Sequence, residues 1–139
     1  MKKSVFLKNL IFLILFSVAI NSCKNDGIDL KKEAKKLMQA SKERSNSAIS
    51  RSVEQTLNYI ADDAILISPG TQELKGKEAI RKMVEKGLND PNFEINWEPQ
   101  SAEISKCGDM GYLLEDATIT SLDSTGQLKK ERFRSVTIW

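Results

Sequence analysis

The strongest constraint on the fold is a change of hydrophobic period at Asn89-Asp90-Pro91. Before that point apolar side chains mostly recur three or four residues apart, as in helices. After it they alternate, as in strands with one covered face. From Leu30, Ala34, Leu37, Met38, Ser41, Ser45, Ala48 and Ile49 form one helical stripe, with Lys31, Lys32, Lys35, Lys36 and Lys42 mostly off it. Ser52-Val53-Glu54-Gln55 predicts a capping box opening a short second helix whose buried side is Val53, Leu57 and Ile60. Asp62-Asp63 closes it, and Ala64-Ile65-Leu66-Ile67 predicts a short strand stopped by Ser68-Pro69-Gly70. A third helix is expected from Lys77 to Gly87, with Ala79, Ile80, Met83, Val84 and Leu88 on one face. Pro91 prevents its continuation.

Beyond the break, Phe93, Ile95 and Trp97 alternate with Glu94, Asn96 and Glu98. Cys107-Gly108-Asp109 reads as a turn, Met110 to Ser121 as a long strand, and Asp123-Ser124-Thr125-Gly126 as a hairpin turn. Lys129 to Trp139 reads as a further strand. The order is α+β, with helices packed on one face of a curved antiparallel sheet.

The first residues do not belong to that domain. Met1-Lys2-Lys3, an apolar run from Leu10 to Ile20, then Asn21-Ser22-Cys23 make a secretory leader. The run is shorter than the roughly 20 apolar residues of a spanning helix. Ile20-Asn21-Ser22-Cys23 resembles the bacterial lipobox, which implies cleavage before Cys23 and acylation of its thiol. Lys24-Asn25-Asp26 resembles the charged tags of surface lipoproteins. Residues 1–22 are thus expected to be a lipoprotein signal peptide, 23–29 a tether, and 30–139 one domain. The expected location is the outer membrane or cell surface of a Gram-negative bacterium, with the membrane as partner through acylated Cys23.

That reading changes the charge. The chain has 21 basic and 19 acidic side chains. Lys2, Lys3 and Lys8 leave with the leader, so the mature chain is slightly acidic and no nucleic-acid surface is implied. With Cys23 acylated, an internal disulfide is not expected, and Cys107 is read as an inert thiol in a turn. The chain has no histidine, which removes the commonest general base and transition-metal ligand. No metal site and no cofactor are expected.

An ordered text runs through these elements. It comprises Tyr59-Ile60-Ala61-Asp62-Asp63-Ala64-Ile65-Leu66, Pro69-Gly70, Leu74-Lys75-Gly76-Lys77-Glu78-Ala79-Ile80-Arg81, and Gly108-Asp109-Met110-Gly111-Tyr112. It resembles the SnoaL-like and ketosteroid-isomerase-like branch of the nuclear-transport-factor-2-like superfamily, over roughly Leu30 to Trp139. The resemblance implies a cone: a curved antiparallel sheet wrapped on about three helices around a pocket, commonly dimeric through its outer sheet face. Family members usually continue past the Thr137-Ile138-Trp139 pattern into a last strand. That strand is missing here, and a C-terminally truncated domain is expected.

The isomerase relatives use a carboxylate, a tyrosine and a protonated acid. Carried over by position, these fall on Ser68, on Arg44 or Ser45, and on Ser135. None is retained, and no catalytic residue is assigned. Asp62-Asp63 reads as structural. Adjacent strand residues point to opposite faces, so neither that pair nor Glu115-Asp116 is expected to form a catalytic dyad. The pocket candidates are Tyr59, Ser68, Trp97, Tyr112 and Ser135. The expectation is a lipid-anchored, non-catalytic envelope domain that binds a small apolar ligand or a protein partner and dimerises through the outer sheet. The alternative is an isomerase, lyase or hydrolase acting on a small hydrophobic substrate.

Overall fold

The computed structural model describes residues 27–139. The leader, Cys23 and the Lys24-Asn25-Asp26 tag lie outside the described residues. The elements are α1 (Leu30–Ile49), α2 (Val53–Leu57), β1 (Ile65–Leu66), β2 (Leu74–Lys75), α3 (Lys77–Asn89), β3 (Glu94–Ile104), β4 (Gly111–Leu122) and β5 (Leu128–Ile138). Strands β3, β4 and β5 form an antiparallel sheet in that order, and β1 pairs with β2 in a separate ribbon. Among the described residues no helix is long and apolar enough to cross a membrane.

Helix α1 starts where Asp29 accepts the Lys32 amide, at 3.1 Å, filling one of the donors a helix start leaves open. Its buried positions are Ser41, Ser45, Ser47 and Ala48. Small side chains there let the helix backbone approach β3. Ile49, expected on the stripe, is exposed because it is the last helical residue. Arg51 follows at φ 58°. The Ser52 amide reaches Ser47 O at 2.9 Å and the Arg51 amide reaches Ala48 O at 3.0 Å. This is a Schellman ending built on arginine where glycine is usual. The Arg51 guanidinium donates to the carbonyls of Leu88, Asp90 and Phe93, at 2.7, 2.8 and 3.0 Å.

Three local expectations need correction. Ser52 occupies the start of α2, but its side chain makes no capping bond; instead the Thr56 hydroxyl donates to Ser52 O at 2.8 Å. The strand expected over 64–67 shrinks to Ile65–Leu66, and Ile65 and Ile67 are exposed. Its partner is the two-residue β2, so no broad sheet covers it. Met83 is also exposed, although Ile80 and Leu88 on the same helix are buried.

The ribbon nevertheless fixes α3. Gly76, at φ 82°, donates to Ala64 O at 2.8 Å, and the Lys77 amide donates to Asp62 O at 3.0 Å. The Asp62 side chain itself stays in solvent. This supports the structural reading of the Asp62-Asp63 segment. Arg81 then ion-pairs with Glu54, tying α3 to α2.

In the main sheet Trp97 faces Ala117, and Pro99, Glu115 and Ser135 lie in one row across the three strands. A register shift between Pro99 and Ser101 bends β3. Ala48, Leu88, Trp97 and Ala117 form the buried cluster, with Val53, Val84 and Ile95 against it. Cys107, in the β3–β4 turn, is disulfide-bonded, which corrects the expectation of an inert thiol.

Candidate functional site

The inward row of the sheet carries a carboxylate. Glu115 is 3 % exposed, between Leu113 and Ala117 on β4. A buried carboxylate needs donors, and it has two. The Ser41 hydroxyl of α1 donates to Oε1, and the Thr137 hydroxyl of β5 donates to Oε2 at 2.5 Å. Thr137 stands opposite Leu113, so strand parity brings it to the same face as Glu115.

Trp97 extends this network. Its indole Nε1–H donates to the Ser41 oxygen at 3.1 Å, and its amide donates to the Ser45 oxygen at 3.0 Å. Ser41 and Ser45 are one helical turn apart, so a single helix face holds both ends of the tryptophan. Between them in sequence lies Arg44, whose guanidinium carbon sits 4.8 Å from the Trp97 ring centroid. Its Nε is buried with no hydrogen-bond partner. Burial pushes the Arg44 pKa down, and the negative charge of Glu115 partly opposes that shift.

Tyr59 is placed at the side of this network. Its hydroxyl donates to Glu43 at 3.1 Å, and its ring meets Trp139 edge-on at 6.3 Å. Desolvation, and then the bond to the Glu43 carboxylate, hold the phenol above its usual range. Trp139 Nε1 is buried without a partner. An open groove of about 340 Å³ lies between the first half of α1 and the β3–β4 turn, lined by Lys36, Leu37, Ala40, Ile104, Met110 and Trp139. It is separate from the Glu115 row, although Trp139 continues the inward face two residues beyond Thr137.

The expected pocket residues therefore divide. Trp97 is in the buried network, Ser135 lies opposite Glu115 on the same face, and Tyr59 touches Trp139, a groove residue. Ser68 sits in the loop after β1, where its carbonyl accepts from the Thr71 amide and hydroxyl. Tyr112 is one residue out of phase with the inward Leu113 and is 42 % exposed; it belongs to the outer face. Sequence reasoning missed Ser41, Ser45, Glu115 and Thr137 as a group. The available signal was polar residues recurring on the apolar stripe of α1, and a glutamate in phase with Leu113 and Ala117. Glu115 and Asp116 do point apart as alternation requires; Asp116 pairs with Arg134 outside, at 2.8 Å. Among the described residues no group of three His, Cys, Asp or Glu side chains could hold a metal ion.

A family model, the SnoaL-like domain, matches residues 38–139. The chain belongs to the SnoaL-like domain family. A ketosteroid isomerase-like protein from Erwinia carotovora atroseptica superposes on this SnoaL-like domain with TM-score 0.62 and 13 % identity, over 76 % of this chain and 82 % of that one. A conserved protein from Planctomyces limnophilus gives TM-score 0.62 and 15 % identity, over 75 % and 81 %. A putative SnoaL-like polyketide cyclase from Shewanella putrefaciens gives 0.54 and 10 %, over 72 % and 74 %. At such identities the likeness is one of fold, and it supports the cone expected from the sequence. No curated protein matches the chain.

Proposed function

We propose that this SnoaL-like domain is a non-catalytic ligand-binding module, held at the cell envelope by acylated Cys23, that takes a small, largely apolar molecule into the groove beside α1. One observation carries the non-catalytic part. Both oxygens of Glu115 are already bonded, to Ser41 and Thr137. A general base needs a lone pair open to substrate, and this carboxylate is 3 % exposed and does not line the groove. The groove supplies apolar walls in Leu37, Ala40, Ile104 and Met110, beside the charged Glu33, Lys36 and Asp109, and small-molecule sites combine apolar walls with polar groups that fix orientation.

The test is a titration with the neutral apolar fluorophore N-phenyl-1-naphthylamine. Saturable binding that is lost in Ala40→Trp, with the far-ultraviolet spectrum retained, is expected. Absence of saturable binding, or binding indifferent to that substitution, overturns the reading. The second reading, an isomerase, lyase or hydrolase, draws on the one buried acid at the centre of the inward face. It requires Glu115→Gln to abolish a turnover that the intact protein displays.

The outer sheet face is the expected homodimer surface. Tyr112, Val136 and Ile138 are exposed there, Ile138 at 71 %, and a partner copy would cover them. Light scattering of Val136→Lys against the unaltered chain tests it: a dimer that becomes a monomer supports this surface.

A further inference from the structure

The start of the domain is fixed on the β3–β4 turn: a Cβ on Gly108 would stand 2.7 Å from Ile28 Cδ1. Cys23 comes five residues before Ile28, a reach of about 17 Å when fully extended. With Cys23 acylated, the turn and the first turns of α1 therefore stay close to the bilayer. This end carries cations. Among the described residues Lys31, Lys32, Lys35 and Lys106 are exposed, and none has a carboxylate within ion-pair distance. Residues 1–26 contain a single acidic side chain, Asp26, which can neutralise at most one of the four. The acids at this end are engaged with the chain: Asp29 with the Lys32 amide, Glu33 with Lys36, and Asp109 with the Ser105 hydroxyl. On a helix advancing about 100° per residue, Lys35 and Lys32 stand about 40° and 100° round from Lys31, whereas Glu33 projects about 160° away in the other direction. Two apolar side chains, Ile28 and Met110, are exposed at the same end.

We infer that this end of the domain docks on an anionic phospholipid surface, with Lys31, Lys32, Lys35 and Lys106 against the headgroup phosphates and Ile28 and Met110 at headgroup depth. This rests on the acylated-Cys23 reading above and adds a second membrane contact to it. An anionic leaflet attracts basic groups held next to an anchor, and the attraction fades within a Debye length. Surfaces that combine lysines with apolar side chains settle at that interface. The tether keeps these four lysines inside the range where the field acts. Lys42, further along the same side of α1, is taken by Glu98 and is not part of the surface. The other end of α1 packs on α3 through Ala48 and Leu88, about 27 Å from Leu30 along the helix. The docked domain thus presents one end to the bilayer and keeps α3, with its exposed Lys82 and Lys86, away from it.

The experiment uses the mature chain purified from membranes, with its acylation read by mass spectrometry. It is placed in nanodiscs of phosphatidylcholine alone, or of phosphatidylcholine and phosphatidylglycerol at roughly 7:3. Acetylation of each lysine by the N-hydroxysuccinimide ester of acetic acid is then timed. Lys31, Lys32, Lys35 and Lys106 should react at least about threefold more slowly on the anionic discs, and Lys82 and Lys86 equally fast on both. Sodium chloride at about 0.5 M should remove the difference. In Lys31→Gln/Lys35→Gln the protection of Lys106 should disappear, because the helix lysines hold the turn down; shielding of each lysine by itself would leave it. Equal rates on the two discs overturn the docking and leave the anchor intact. Slowing of Lys82 and Lys86 to the same degree, or protection of Lys106 that survives in the double variant, also overturns it. A chain without acyl groups refutes the anchored reading, and the inference with it. The comparison of lipids is made on the unaltered chain and needs no variant to fold.

Discussion

Arg44 lies over Trp97, with its guanidinium carbon 4.8 Å from the ring centroid, and the same tryptophan donates to Ser41 one turn back along α1. The arginine's attraction to the ring is worth about 1–2 kcal/mol, whereas burying a cation without contact to an anion costs several. The two effects oppose each other. Arg44→Met is expected to leave stability within about 1 kcal/mol of the original, or to raise it. Trp97→Ala, which opens a cavity in the core cluster, should cost about 3–5 kcal/mol. Urea unfolding of both variants checks the contrast.

Glu115 is the anion of the same interior. Removing it leaves the buried Ser41 hydroxyl and the half-buried Thr137 hydroxyl without their acceptor and Arg44 without its opposing charge. Glu115→Ala should destabilise by about 3–5 kcal/mol. Glu115→Gln, which keeps one oxygen and the volume, should cost less than half of that. Thermal unfolding followed by circular dichroism distinguishes the two. Equal losses would mean that the negative charge matters and the volume does not.

Gly111 begins β4 under the helix. A Cβ there would stand 2.7 Å from Leu37 Cδ2, 2.8 Å from Ile104 Cδ1 and 3.2 Å from the Glu103 carbonyl oxygen. The side chains can shift, but the strand carbonyl cannot easily do so. Gly111→Ala should cost about 1–3 kcal/mol by overpacking. Adding Leu37→Ala should recover only part of that, a double-mutant comparison readable from unfolding midpoints.

The β4–β5 hairpin is held by Asp123, whose Oδ1 accepts from the Thr125 hydroxyl and from the amides of Thr125 and Gln127. The Thr125 hydroxyl bond first, and the two amides next, hold the carboxyl below its usual range. A depressed folded pKa means that the contribution is fully present above the ordinary aspartate range and is lost as pH falls through the folded value. The Thr125 and Gln127 amide resonances should therefore titrate with a midpoint below that of a free aspartate. In Asp123→Asn the transition should vanish.

The lipobox resemblance makes a prediction about mass. Mature protein extracted from membranes should carry acyl chains at Cys23, and Cys23→Ala should abolish both processing and membrane association. The chain contains two cysteines, so a disulfide on Cys107 is compatible with an acylated Cys23 only if its other half comes from another molecule. An acylated thiol cannot also form a cystine. Recovery of a Cys23–Cys107 cystine from the mature protein would overturn the anchor.

The period change at Asn89-Asp90-Pro91 made the division into helices and sheet legible, because the strands after it are long and have one covered face. β2 was not legible: two residues are too few to show a period, and Leu74–Lys75 is defined by its pairing with Ile65–Leu66. At the site, position along the chain was informative and residue type misled. Arg44 and Ser45 were recognised as occupying a tyrosine's place. Their roles come from a tryptophan 52 residues beyond Ser45 that meets both ends of one helical turn. Glu115 was visible as a charge in an inward phase, but the hydroxyls that make its burial tolerable come from α1 and β5, elements that only folding brings together.

Arg51 has a consequence for how the domain opens. One left-handed arginine closes α1 while its guanidinium holds three carbonyls spanning the end of α3 and the approach to β3. Loss of that clasp frees three segments together. Amide hydrogen exchange at the end of α1, at the end of α3 and at the start of β3 should therefore report a single opening event with one free energy, so that this corner of the cone behaves as one cooperative unit despite being built from distant stretches of chain.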